Sequence, residues 1–325
     1  MTAYIIRRLL YAILILIGVN VITFVLFFFV NSPDDMARMH LGVKRVTAEA
    51  VEKWKEERGY DKPLLYNGAA PGGKRFTDTI FYAKSVKLFA FEFGRSDQGR
   101  DIGYDIQTRM WPSLAIALPV FLVGLLAYVT FALLMALFRA TYVDLWGVVI
   151  CVVMMSISTM FYIIGGQYLV SKLWALVPIS GYDVGANAFK FLVLPVVVGL
   201  IGGFGESGRF YRTLFLEEIN RDYVRTARAK GLSELRVLFR HVLQNAMIPI
   251  LTGVVAKIPL LFVGSLVTEA FFGVPGLGSY TIDAIQSQDF AIVRSMVFLG
   301  SALYILGLIL TDVSYTLVDP RVRFQ

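Results

Sequence analysis

The chain is poor in the residues on which most catalytic and metal centres are built. It has one cysteine, Cys151, and two histidines, His40 and His241, in 325 residues. A lone cysteine allows no internal disulfide and no cysteine metal cluster. Cys151 lies inside a long apolar stretch and reads as a small buried apolar residue. The two histidines are too far apart to form a zinc pair on one helix, and neither H-E-x-x-H nor G-x-S-x-G occurs. This argues against a zinc protease or a serine hydrolase. Charged residues are also scarce at 17%, and no internal repeat is visible.

Apolar residues are what the chain has instead. They make up 57% of it, aromatics reach 14%, and the mean hydropathy is +0.65. No ordinary soluble domain of this length has such a composition, so the chain reads as an all-α integral membrane protein. A helical crossing takes about 20 mostly apolar residues. The stretches 9–30, 113–138, 145–176, 189–204, 246–268 and 291–313 qualify. The third is long enough to cross twice, with Gly165 and Gly166 as the break. One crossing is the expectation, because it leaves the basic stretch 206–245 on the same side as Arg7, Arg8, Arg139, Arg321 and Arg323. Six crossings with both termini cytoplasmic follow. The first apolar run is longer than a signal-peptide core and ends in Val30-Asn31-Ser32-Pro33-Asp34, so it reads as an uncleaved anchor over 1–30.

Residues 31–110 then form an extracytoplasmic cap segment, and 111–325 a core of five helices containing the basic stretch 206–245. Within the cap, Thr47 is placed to start a charged helix ending at Arg58 and closed by Gly59, with Val51 and Trp54 on its apolar face. The aromatics of 76–93 suit a second helix at the membrane interface. Gly68-Ala-Ala-Pro-Gly-Gly73-Lys74 has the spacing of a phosphate-binding loop, but Arg75 stands where a Ser or Thr should bind Mg²⁺ and no apolar strand precedes it. It reads as a glycine-rich turn around Pro71-Gly72-Gly73.

The stretch 206–245 carries the strongest local pattern. Good helix formers run from Glu217 to Lys230, Gly231 interrupts them, and Ser233 can cap a second helix through Arg240 toward the fifth crossing. On charge alone this is a basic hairpin that meets anionic lipid headgroups. Its residues say more. Asp222-Tyr-Val-Arg-Thr-Ala-Arg-Ala-Lys-Gly-Leu232, followed by His241 and Asn245-Ala-Met-Ile-Pro249, resembles the coupling loop of ATP-binding-cassette importer permeases of the dipeptide, oligopeptide and nickel branch. Arg225, Thr226 and Ala227 stand in the places of the wider Glu-Ala-Ala pattern, with Gly231 at its end. Tyr4 to Leu9, Asp61-Lys62-Pro63, Phe93-Gly94-Arg95-Ser96 and Pro178-Ile-Ser-Gly181 also resemble that family, as do Thr268 to Gly278 and Asp319-Pro-Arg-Val-Arg323.

The resemblance implies a non-catalytic, multi-pass subunit of a prokaryotic cytoplasmic membrane that imports di- or oligopeptides by alternating access. Nickel complexes, glycans and peptide-like antibiotics are the alternative cargoes. It further implies a second homologous permease, two ATP-binding subunits and an extracytoplasmic substrate-binding protein as partners. Membrane lipid is a further partner; nucleic acid is not. ATP and Mg²⁺ would be held by the partner subunits, with no cofactor or metal in this chain. A secondary transporter or a membrane scaffold is the reading from another class, since the first would need inverted repeats and midplane carboxylates. The residues expected to couple to an ATPase are Tyr223, Arg225, Thr226, Ala227, Arg228, Ala229, Lys230 and Gly231. Ala227 and Ala229 would allow close approach of a partner, Gly231 a corner, and the basic side chains pairing with carboxylates at the rim.

Inside the membrane Lys257 stands out, about 16 Å along the fifth helix from Ala246. By helical spacing Gly253, Gly264 and Thr268 fall on its face, while Pro259 frees the carbonyl of Val255. These four residues are the candidates for a translocation path. Lys257 attracts an anionic group there or pairs with a carboxylate of the partner permease; the sequence leaves both open. The loop with Glu269, Gly273, Pro275, Gly276 and Gly278 reads as a re-entrant, gate-like turn on the outer side.

Overall fold

The computed structural model describes residues 2–42 and 46–318. The C-terminal signature Asp319 to Arg323, with Arg321 and Arg323, lies outside the described residues. Fifteen α-helices follow in order: α1 (Thr2–Val25), α2 (Pro33–Leu41), α3 (Ala48–Arg58), α4 (Lys74–Thr77), α5 (Ile80–Lys84), α6 (Ile102–Leu137), α7 (Tyr142–Ser156), α8 (Thr159–Gly166), α9 (Ala188–Ile219), α10 (Asp222–Ala229), α11 (Glu234–Val237), α12 (Gln244–Lys257), α13 (Leu266–Phe272), α14 (Leu277–Gln286) and α15 (Phe290–Val318). Among the described residues there is no β-strand, only an isolated antiparallel bridge between Arg95 and Asp101. The all-α membrane class read from composition is the class observed. Among the described residues five helical segments are long and apolar enough to cross a membrane: Ile6–Val30, Ile102–Leu137, Ala188–Ile219, Glu234–Phe262 and Phe290–Ser314. The pair Tyr142–Ser156 and Thr159–Leu173, bent by 87°, makes a sixth if taken as one span.

The chain divides into two compact units. The first holds Met1–Arg109 and Tyr280–Ile305. Phe24 and Phe28, at the end of the first apolar run, are buried with Met36, Ala37, Val51, Trp54, Tyr60 and Ile80 in one cluster. The α2 helix starts in a capping box, Ser32 accepting from the Asp35 N–H and Asp35 accepting from the Ser32 N–H, with Pro33 in its first turn. The α3 helix is as the sequence suggests. Thr47 accepts from the Ala50 N–H at 3.3 Å, Gly59 ends the helix at φ +66°, and Val51 and Trp54 are buried. Arg58 braces its end to Asp97, whose own N–H donates to Asp289 at 2.8 Å.

The continuous aromatic helix expected over 76–93 is not formed. The segment is broken into α4, α5 and a 3-10 turn at Val86–Ala90. Thr79 both donates to the Phe76 carbonyl and accepts from the Tyr82 N–H, which supplies local partners outside a helix; Phe91 closes the segment at φ +58°. The Gly68–Lys74 stretch is a turn, with Gly72 at φ +58° and the Arg75 side chain donating to the Ala70 carbonyl.

The second unit holds Met110–Ser279 and Leu306–Gln325. Its core joins Tyr128, Ala132, Met135, Cys151, Tyr211, Phe215, Val224, Ala227, Val237, Leu238, Val242 and Ile250. Cys151 is fully buried, as its position suggested. A Cβ on Gly205 would lie 2.5 Å from the Cys151 carbonyl oxygen, so a glycine there is what lets α9 approach α7. Arg212 clamps the same pair, meeting Asp144 through two parallel bonds of 2.6 and 2.8 Å.

The third apolar stretch breaks at Ile157 and Ser158, not at Gly165 and Gly166. Ile157 is extended, and the Tyr162 hydroxyl donates to the Met154 carbonyl at 3.0 Å, supplying a partner near the end of α7. Gly165 and Gly166 remain helical. A Cβ on Gly166 would sit 3.3 Å from Leu194, so this glycine serves packing against α9 rather than a turn. The fourth crossing also runs further than expected: α9 continues to Ile219 and takes in the start of the basic stretch. The fifth ends earlier. Pro259 opens a 3-10 turn over Pro259–Phe262, and Gly264 at φ +79° separates it from α13. The Val255 carbonyl accepts from the Ile258 N–H at 3.3 Å.

Two measurements test these braces. Arg212→Ala strands Asp144 in a partly buried site and is expected to destabilise the detergent-solubilised chain by about 3 kcal/mol. Arg209→Ala, whose guanidinium meets only Met155 sulfur at 3.9 Å, should leave the melting temperature within 1 to 2 °C, roughly. In the first unit, burial beside Arg294 pushes the Lys84 ammonium down to about 8. Below that value the folded state holds a charge that the unfolded chain holds more easily; between about 8 and the usual lysine value the unfolded chain binds more protons. Stability of the wild type should therefore rise relative to Lys84→Met as pH goes from 8 toward 10, read by thermal unfolding across that range.

Candidate functional site: a glycine corner and an internal cavity

Asn220 and Arg221 interrupt the helix expected from Glu217 to Lys230, so that α9 ends at Ile219 and α10 begins at Asp222. The eight residues of α10 divide cleanly by face. Val224 and Ala227 are buried in the core cluster, while Tyr223, Arg225, Thr226 and Ala229 are exposed, as are Lys230 and Gly231 beyond its end. Gly231 has φ +76° and open space where a Cβ would be, and its N–H donates to the Arg228 carbonyl at 2.9 Å. A left-handed corner is therefore the reason for glycine here, not crowding. Arg228 spans the corner and binds Glu234 of α11 through bonds of 2.8 and 3.1 Å. Tyr223 donates to Glu218; burial and this bond push the phenol up to about 12, so it remains a donor at neutral pH.

This changes two expectations. Ala227, only 4% exposed, permits close packing inside its own chain, and Arg228 is half-buried in an internal ion pair. The surface left for a partner is Tyr223, Arg225, Thr226, Ala229, Lys230 and Gly231. Arg225 has only Asp222 at 3.5 Å, an exposed pair that contributes little.

The second feature is a cavity of about 560 Å³ walled by α6, α8, α9, α12 and α13. Gly199, Gly202 and Gly203 form part of its α9 wall, and the walls are mainly apolar. Hydroxyl groups of Ser113, Tyr128, Thr159, Ser207, Tyr211 and Thr268 are spaced through them. Lys257, Gly264, Thr268 and Glu269 all line it; Gly253 does not. The helical spacing that grouped these residues is not what joins them. The helix has ended before Gly264, and the chain reverses into α13, which brings Thr268 and Glu269 to the cavity. Among the described residues no carboxylate pairs with Lys257, which is exposed. Lys257 is the last residue of α12, toward the end of the apolar span Glu234–Phe262.

Glu269 is 1% exposed and lies at the centre of the glycine-rich loop. Its carboxylate accepts from the N–H groups of Ser265 at 3.0 Å, Gly278 at 2.7 Å and Ser279 at 3.2 Å, and from the Ser113 hydroxyl. The Leu277 N–H donates in turn to Ser113 at 2.8 Å. Burial pushes the carboxyl up, and these donors pull against it. Glycines make the cage possible: a Cβ on Gly264 or Gly276 would collide with the Glu269 carboxylate, and one on Gly278 would come within 2.6 Å of the Ser265 backbone. Gly273 reverses the chain at φ +64°, and Pro275 is exposed on the outside of the turn. The Gly181 N–H donates to the Phe272 carbonyl at 2.7 Å, and Gln167 bridges the carbonyls of Ile179 and Phe271, both at 3.0 Å. The Pro178–Gly181 segment is thus tied to the end of α13.

Ser113 and Gln167 were not identified from sequence. Nothing near them signals a partner more than 100 positions away. The cage separates two kinds of glycine in one assay. Gly278→Ala should unfold or misplace the loop and lower the yield of folded chain severalfold. Gly253→Ala, with open space at its Cβ, should leave the melting temperature unchanged or raise it.

Comparison with known proteins fits this arrangement. Residues 128–324 match the family model described as the binding-protein-dependent transport system inner membrane component, and residues 1–86 match the model of its N-terminal region. A probable peptide ABC transporter permease of Sinorhizobium fredii is 30% identical over 331 residues, covering all of both chains. The di/tripeptide transport system permease DppB of Pseudomonas aeruginosa is 30% identical over 353 residues, and the oligopeptide transport system permease AppB of Bacillus subtilis 27% over 342, again covering all of both chains. Such permeases work with ATPase and binding-protein partners. The matches over both parts of the sequence, on a helical membrane chain with an exposed glycine corner, place this chain in the family of binding-protein-dependent transport system inner membrane components, the multi-pass permease subunits of ATP-binding-cassette importers.

Proposed function

We propose that this chain is a permease subunit that imports di- or oligopeptides, pairing with a second homologous permease above two ATPase subunits and receiving cargo from an extracytoplasmic binding protein. Full-length similarity to permeases named for peptide, di/tripeptide and oligopeptide transport supports the cargo class. The basic stretch and both termini face the cytoplasm in this reading, and the segment between α1 and α6 faces outward.

The observation that carries the coupling role is the α10 to α11 corner. It offers an exposed face with four unburied basic or hydroxyl-bearing residues, Tyr223, Arg225, Thr226 and Lys230, while its opposite face is locked into the helical core by Val224 and Ala227. A push on such a corner is transmitted to α9 and α12 because it cannot swing independently. ATP binding closes the ATPases, the corner moves with them, and the helices rock to expose the cavity to the other side. ATP and Mg²⁺ stay in the partner subunits, and this chain forms and breaks no covalent bond.

Tagged chain purified in mild detergent should bring down a second permease and ATPase subunits. Proline at position 231 cannot adopt φ +76° or donate to Arg228. Gly231→Pro should therefore lower ATP-driven peptide uptake by at least about tenfold, with the ATPases either lost or hydrolysing without transport. A chain that purifies alone, or a variant that transports at the wild-type rate, would overturn the reading.

A further inference from the structure

The cavity in the second unit is lined by an ammonium that no carboxylate meets among the described residues. Lys257 and Glu269 are the charged side chains lining it. Glu269 is turned into its cage, 1% exposed, with its oxygens engaged by three backbone N–H groups and the Ser113 hydroxyl. It has no capacity left for the ammonium. Lys257 is exposed to the cavity and has no carboxylate partner among the described residues. The cavity therefore presents one ammonium without a direct partner, with Thr268 and Tyr211 in the same lining and an otherwise largely apolar wall. A lysine ammonium there has three donors and a flexible stem, and low surrounding polarity strengthens its attraction for an anion.

We propose that Lys257 is a specificity-determining residue of the permease, holding the free carboxylate of the cargo as it passes through the cavity. The inference rests on the peptide-import reading and deepens it. Selection by charge then occurs in the permease, after the binding protein has delivered the cargo. Five helices of this one chain contribute to the wall of the cavity, and Lys257 stands in its lining.

The test uses the full importer in proteoliposomes with its own binding protein and a radiolabelled tripeptide, as the free acid and as the C-terminal amide. Uptake of both is measured in wild type, Lys257→Gln and Lys257→Arg. The binding protein is the same throughout, so its own preference cancels when the acid-to-amide ratio is compared between variants. Lys257→Gln should lower that ratio about tenfold, the size expected for losing one charge-assisted bond, and Lys257→Arg should keep most of it. An unchanged ratio overturns the proposal, whether uptake of both peptides falls together or neither changes. So does failure of the Lys257→Gln complex to assemble, which would assign the ammonium to a carboxylate of the partner permease. A wild-type complex that assembles and hydrolyses ATP but accumulates neither peptide would instead refute peptide import itself.

Discussion

The Glu269 carboxylate is the contact on which the cavity end of the second unit depends. A reversing backbone near a membrane exposes N–H groups that lipid cannot satisfy, and each one left unpaired is costly. Here a single carboxylate collects the N–H groups of Ser265, Gly278 and Ser279, and Ser113 of α6 takes that of Leu277. The loop is thereby closed around an acceptor and anchored to a long helix. Glycines at 264, 276 and 278 follow from this, because any side chain there would occupy the space of the carboxylate or the facing backbone. The glycine-rich, gate-like turn read from the sequence is crowded, with its N–H groups taken up by Glu269 and Ser113.

With Glu269 committed to its cage, Lys257 is the charged side chain of the cavity that no partner engages among the described residues. Two carboxylate oxygens facing the ammonium would have made a neutral pair. Turned away, they leave a cation among hydroxyls and aliphatic side chains. The corner at Gly231 is built on a similar economy of partners. Arg228 and Glu234 satisfy each other across the turn, Val224 and Ala227 fill the core, and only the remaining side chains of α10 are free to meet another protein.

Much of the helical plan was legible. Apolar length marked the membrane segments, Thr47 and Gly59 marked both ends of α3, and the positions of Lys257 and Gly231 were readable from charge and composition. The misreadings share a cause. Gly165 and Gly166 look like a break, yet the break is two residues of Ile157-Ser158, because the Tyr162 hydroxyl satisfies backbone there and Leu194 and Val198 need the space at Gly166. Ala227 looks like a contact for a partner and is a contact for its own core. Local sequence identifies a small residue; it does not say which neighbour requires the smallness.

The sequence by itself determined that this is a membrane-spanning helical chain with a basic helix-glycine-helix corner, since those properties depend on apolar length, charge and backbone preference over a few neighbouring residues. Only the tertiary structure decided which face of the corner is free, that Lys257 shares a cavity with Thr268 across a broken helix, and that the Glu269 carboxylate is held by backbone N–H groups of its own loop. Each of those outcomes turns on a contact between segments distant in the chain, where burial and hydrogen-bond satisfaction override local preference.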